Sequence, residues 1–192
     1  MRYVLDTKEC EFLGKGKEGA VYLTPEGYAL KIFHNKRKAE DEAKLLEVVN
    51  DSRFFPKVLF IANNMILRDY VQGDNLYDYV KKNGLSYNLS IELISLIEEF
   101  KRLKFTRLDI RNAHIFVDKN EQIQVIDPRK VFIKKTPYPK EIIKVLVKLD
   151  LFDEFLKNLL MYNPQLIKYW VNGYNYFKYT SKKVIRINMY AC

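Results

Sequence analysis

The chain has 192 residues, 48% of them hydrophobic, and its 33 Lys plus Arg outnumber 24 Asp plus Glu to give a formal charge of +9. That apolar content excludes a disordered chain and suffices for one domain or two small lobes, while the charge favours anionic partners such as nucleotide phosphates, nucleic acid or acidic lipid surfaces. Cys10 and Cys192 are the only cysteines and lack metal-ligand spacing, no stretch approaches the roughly 20 apolar residues of a bilayer span, and MRYVLDTKEC is no secretion signal, so a soluble cytoplasmic protein is expected.

In chain order, short β-rich runs come first: Cys10 to Leu13, Ala20 to Leu23, Tyr28 to Phe33, Val58 to Ile61 and Met65 to Arg68. Turn signals at Pro25-Glu26-Gly27 and Asn63-Asn64 separate them, which predicts a small antiparallel sheet. Between them, Lys36 to Val49 places Ala39, Ala43, Leu45, Leu46 and Val49 among charges and reads as one amphipathic helix. The pattern changes near Gly73, so residues 1–72 and 73–192 are expected as a β-rich and a helical part. Helices are predicted at Leu76 to Lys82 and Ile91 to Leu103, two short strands at Ile115 to Val117 and Gln122 to Ile126, and a helical stretch from Lys140 to Val171 broken at Asn163-Pro164.

Gly14, Gly16 and Gly19 in GKGKEGAVY would let backbone amides approach phosphate oxygens, or they serve a plain hairpin with no ligand. Val21 and Ala29 on the flanking strands would then sandwich a purine ring. Lys31 stands among apolar neighbours, and a buried ammonium requires a partner. Glu42 is the partner expected, with Glu40 and Glu47 as competitors and a merely solvated acidic helix face as the alternative. The segment from Ile66 to Gly73 looks like a hinge whose backbone around Asp69, Tyr70 and Val71 would bond an adenine edge. Arg68 falls at the back of that pocket and needs an acid that the sequence does not identify.

Asp109 lies in a loop after a helix and before a strand, which suits a carboxylate that orients a hydroxyl and accepts its proton. Arg111 can place a fixed positive charge beside a transferring phosphoryl group. His114 offers a nitrogen ligand, better suited to Mn²⁺ than to Mg²⁺, or is a core histidine bonded to backbone. Asp127 follows the apolar Val125-Ile126 and is a natural metal ligand, with an Asp-Pro turn start as the bland alternative.

With these residues in place the chain resembles the protein-kinase-like superfamily, in particular small bacterial kinase-like proteins, over roughly Phe12 to Arg129. The resemblance implies an α+β, bilobal fold with a small antiparallel N-lobe plus helix and a reduced, mostly helical C-lobe. It further implies ATP with Mg²⁺ or Mn²⁺ as cofactors and a hydroxyl-bearing acceptor, protein or small molecule. Gly14 to Val21 becomes the phosphate-covering loop, Lys31 pairs with Glu42, and Asp109 is the catalytic base. Asp127 with His114 takes the metal positions, and Phe116 joins Ala29 and Asp69 to Val71 among the nucleotide contacts.

Departures from that pattern matter as well. Arg107-Leu108 stands where His-Arg usually precedes the catalytic aspartate, and Pro128-Arg129 replaces Phe-Gly after the metal aspartate. No Ala-Pro-Glu element follows, and the stretch after Arg129 is short for a full protein-kinase lobe, so a small hydroxyl-bearing substrate such as a sugar or lipid-linked glycan is as plausible as a peptide. A pseudokinase scaffold is the rival reading. The C-terminal mixture of Tyr169, Trp170, Tyr174, Tyr176, Phe177, Lys178, Tyr179, Lys182, Lys183 and Arg186 can bind nucleic acid, but an amphipathic helix and strand with aromatics on the core is favoured.

Overall fold

A computed structural model describes residues 7–128 and 130–189, with side chains described as far as residue 181. Arg129, Cys192, the first six residues and the side chains of Lys182, Lys183 and Arg186 lie outside the described part. The described chain is α+β, with a five-stranded antiparallel sheet, a small three-stranded sheet and six α-helices. It divides into two compact units: one runs to Gln72 and takes in the chain again from Gln124, the other covers Gly73–Ile123 and resumes at Lys130. None of the described helices is long and apolar enough to cross a membrane.

In the first unit, β1 (Glu11–Lys15), β2 (Gly19–Leu23), β3 (Tyr28–Phe33), β4 (Val58–Ala62) and β5 (Met65–Asp69) form a sheet in the order β1-β2-β3-β5-β4. The turn signals close its hairpins. Thr24 N–H donates to Tyr28 O at 2.8 Å around Gly27, whose φ is +86°, and Asn63 takes φ +48° between β4 and β5. Helix α1 (Lys36–Val49) has the bounds its periodicity predicts, because the Asn35 side chain caps it by accepting from Arg37 N–H at 2.8 Å. Its buried face is Ala39, Ala43, Leu46 and Val49. The returning segment is tied in by Val125 N–H, which donates to Phe54 O at 2.7 Å.

The second unit holds β6 (Asp74–Asn75), α2 (Leu76–Asn83), α3 (Tyr87–Arg102) and β7 (Ile115–Val117), followed after β8 (Ile123–Val125) by α4 (Lys140–Lys148), α5 (Phe152–Tyr162) and α6 (Ile167–Met189). The chain passes from the second unit to the first within β8. Gly73 has φ +108°, and a Cβ there would lie 2.1 Å from Val117 O, so no larger residue fits.

Three expectations about this unit need correction. Helix α3 starts at Tyr87 rather than Ile91, because Ser86 Oγ accepts from Leu89 N–H at 2.9 Å and caps an earlier turn. The stretch from Lys140 is interrupted not only at Asn163-Pro164 but also at Leu149–Leu151, where Asp150 adopts φ +59°. The C-terminal stretch is one helix to Met189, with no strand. Trp170 is fully buried with its ring 4.6 Å from Phe155, and Tyr174 stacks on Phe152 at 4.8 Å, so these rings serve the core.

Candidate active site

Lys31 is 9% exposed on β3, in register with Val21 on β2 and Ile66 on β5. Directly paired residues share a sheet face, so the ammonium is flanked by apolar side chains, and its Nζ lies 4.6 Å from the centre of the Phe33 ring. Burying such an ammonium is costly without a partner. Nζ donates to Glu42 Oε2 at 2.5 Å, whereas Glu40 is exposed and lies 3.7 Å from Lys36. Breaking a buried pair of this kind costs about 3–5 kcal/mol, because the abandoned charge has lost its water as well.

Glu42 is the centre of a larger charged group. Burial raises its carboxyl above the ordinary value of 4.5, Lys31 opposes that rise by charge and hydrogen bond, the Asp127 charge adds to it, and Arg68 counters it. Carboxylate oxygens of Glu18, Glu42 and Asp127 all lie within 4.8 Å of one another. Glu18 belongs to the β1–β2 loop, and its backbone is pinned where His34 N–H donates to Glu18 O at 2.8 Å. Asp127 carries a left-handed φ of +53°, a conformation that a short polar side chain tolerates better than most.

Arg68 finds its acids here. It is 7% exposed and in register with Ala29, which puts both on one face of the sheet. Burial lowers the pKa of the guanidinium, while the charges of Glu42, Asp127 and Asp69 act in that order to hold its proton. Nη1 also donates to the Asp69 carbonyl at 3.2 Å. Tyr70 is partly exposed and Val71 is buried.

The three loop glycines differ in their reason for being glycine. A Cβ on Gly19 would stand 2.0 Å from Ile32 O, so the close approach of β2 to β3 alone demands it. Gly14 and Gly16 have open space where a Cβ would be. Gly14 sits at an irregularity in the β1–β2 register.

The second unit carries Asp109, Arg111, His114 and Phe116. Asp109 is held between buried Leu108 and Ile110, and Leu108 N–H donates to Thr136 O at 3.0 Å. Asp109 Oδ1 accepts from Glu141 N–H at 2.9 Å. The carboxylate thereby satisfies the first turn of α4, whose N-cap, Pro139, offers no side-chain acceptor. Burial raises the Asp109 carboxyl above the ordinary 3.8, and the Glu141 hydrogen bond and Lys140 charge oppose that shift. Asn112 Nδ2 donates to Glu141 Oε2 at 3.0 Å, so Glu141 joins two loop residues. Arg111 is exposed, His114 is half-buried at the end of a 3₁₀ turn, and Phe116 on β7 is in register with Asn75.

Glu18, Glu141 and Asn112 are not among the site residues expected from the sequence. Glu141 had a readable signal, an acid in the first turn of a helix beginning after a proline. Glu18 had none, since a glutamate in a glycine-rich turn ordinarily faces water.

A Bacillus subtilis (strain 168) protein named "Putative serine/threonine-protein kinase YrzF" is 24% identical over 136 residues, covering 68% of this chain. The match spans 63% of that relative's length, which supports a kinase-like family at most. No family model matches the chain.

Proposed function

We propose that this chain is a phosphotransferase of the protein-kinase-like superfamily, moving the terminal phosphoryl group of a purine nucleoside triphosphate to a hydroxyl acceptor. ATP is the donor that the resemblance implies. The observation that carries this reading is the meeting of Lys31, Glu42 and Asp127 in one unit, although Asp127 comes far later in the chain. A buried strand lysine tethered by a helix glutamate, with an aspartate from a distant segment beside them, is the arrangement needed to hold a polyphosphate and its metal.

In this reading Lys31, held by Glu42, contacts the non-transferred phosphates, and the main chain at Gly14 and Gly16 lies against them. Oxygen donors suit a hard divalent ion, and Asp127 with Glu18 would hold Mg²⁺ or Mn²⁺, since Glu42 is committed to Lys31. Such an ion supplies positive charge that the phosphates need beside three carboxylates. Asp109 takes the proton of the acceptor hydroxyl, its half-buried carboxyl tuned upward towards a base that works nearer neutrality. Arg111 offers a fixed charge to the transferring group.

Nucleotide-dependent thermal shift and ATP turnover, each with Mg²⁺, Mn²⁺ or no metal, test the proposal. Wild type should gain stability with nucleotide plus metal, since a ligand of the native state raises its melting temperature with occupancy. Lys31→Met should lose most of that gain and most turnover. Wild-type behaviour from Lys31→Met would refute the assignment.

One observation favours a second reading, a nucleotide-binding scaffold without turnover. Asp109 already caps α4, so its carboxylate has a structural reason to exist. Binding without turnover in wild type, under every metal, would select that reading.

A further inference from the structure

On the hinge reading, Arg68 adjoins the segment that would meet the base of a nucleotide, and its chemistry is one-sided. Its guanidinium is buried on the sheet face it shares with Ala29, and Nη1 lies 3.2 Å from the Asp69 carbonyl oxygen. Side chain and main chain together therefore present a donor beside an acceptor, fixed by burial and by the acids Glu42 and Asp127 that hold the positive charge in place. Arginine has five N–H donors and no acceptor, and it does not give up its proton.

We propose that Arg68 selects the base, so that the site takes 6-oxopurine nucleotides, GTP and ITP, in preference to ATP. This inference rests on the reading of Asp69 to Val71 as the segment that meets the purine edge. A 6-oxopurine offers the acceptor O6 next to the donor N1–H, the complement of a guanidinium N–H next to a carbonyl. Adenine offers the reverse, an N6 amino donor next to the acceptor N1, so its amino hydrogens face those of Arg68. The Asp69 carbonyl has a second lone pair, so its contact with Arg68 leaves it able to accept from N1–H. A buried donor facing a donor is left unpaired on both sides, and sites built around one hydrogen-bonding edge reject the wrong partner strongly.

The test is a thermal-shift titration of the full chain with GTP, ITP and ATP, each with Mn²⁺, on wild type, Arg68→Met and Arg68→Gln. GTP and ITP should reach half-maximal shift at a concentration at least about tenfold below that of ATP in wild type. Arg68→Met should erase the difference, and Arg68→Gln, whose amide can turn to offer an acceptor, should bring ATP level with GTP. The wild-type comparison stands even where a variant fails to fold. Equal affinity for the three nucleotides overturns the role of Arg68 and leaves the nucleotide site intact. GTP preferred without ITP also overturns it, because the 2-amino group would then be the feature read. No shift with any nucleotide overturns the nucleotide reading and this inference with it.

Discussion

Asp109 carries two demands on one carboxylate. As a cap it accepts from Glu141 N–H, which either Asp or Asn can do; as a base it must lose a proton, which only Asp can do. Asp109→Asn should therefore keep or raise the melting temperature while turnover falls by about 10²–10⁴. Asp109→Ala should cost about 1 kcal/mol of stability as well. The pH dependence has a definite sign. Because the folded carboxyl is raised above 3.8, its contribution to stability is fully present below 3.8 and is lost as pH rises through the folded value. Asp109→Asn removes that loss at neutral pH, so its stability there should equal or exceed that of wild type in parallel urea titrations. Turnover runs the opposite way, failing on acidification at a midpoint above 3.8, which a pH–rate profile measures. Lys31 and its partner were legible in the chain because a lysine amid Ala29, Leu30, Ile32 and Phe33 has to be paired. The partner of Arg68 was not, because the acids that face it come from a helix and from a segment far downstream, and one-dimensional spacing does not show which of many acids converge.

At the level of elements, the glycine loop separates scaffold from ligand chemistry. Gly19→Ala would drive a Cβ against the Ile32 carbonyl and should cost about 1–3 kcal/mol or more in urea denaturation. Gly14→Ala and Gly16→Ala meet open space, so both should fold normally and show their effect in nucleotide affinity. By spacing alone the three glycines form one motif, since a motif does not show what each missing Cβ would strike. Elements with a cap and a clear period were the readable ones, as α1 shows with Asn35 before it and a buried face at helical spacing. The α4–α5 break was unreadable for the opposite reason. Leu149-Asp150-Leu151 contains neither glycine nor proline, and its reversal rests on one aspartate in the left-handed region.

Considered as a whole chain, the two compact units are not two successive segments. The first is completed by residues from Gln124 onward, anchored by the hydrogen bond from Val125 to Phe54 and bringing Asp127 to Glu42 and Glu18. The switch from β-rich to helical patterning marks the change of character near Gly73, but no local pattern marks a strand whose last residues join another unit. A fragment ending at Gln72 should therefore be poorly stable and show no nucleotide-plus-metal thermal shift, even though it contains the glycine loop, Lys31, Glu42 and Arg68.

The left-handed backbone at Asp127 lies on the short stretch through which that re-entry is made. A chain that must leave one folded body, finish another and turn back within a few peptides has little slack there. Insertions between Val125 and Pro128 should be tolerated far less than insertions at Pro25-Glu26-Gly27, where the chain turns at an exposed hairpin. Tag scanning across both sites would expose that contrast, and with it a vulnerability: an added residue before Pro128 would dismantle the acid cluster without touching any of its members.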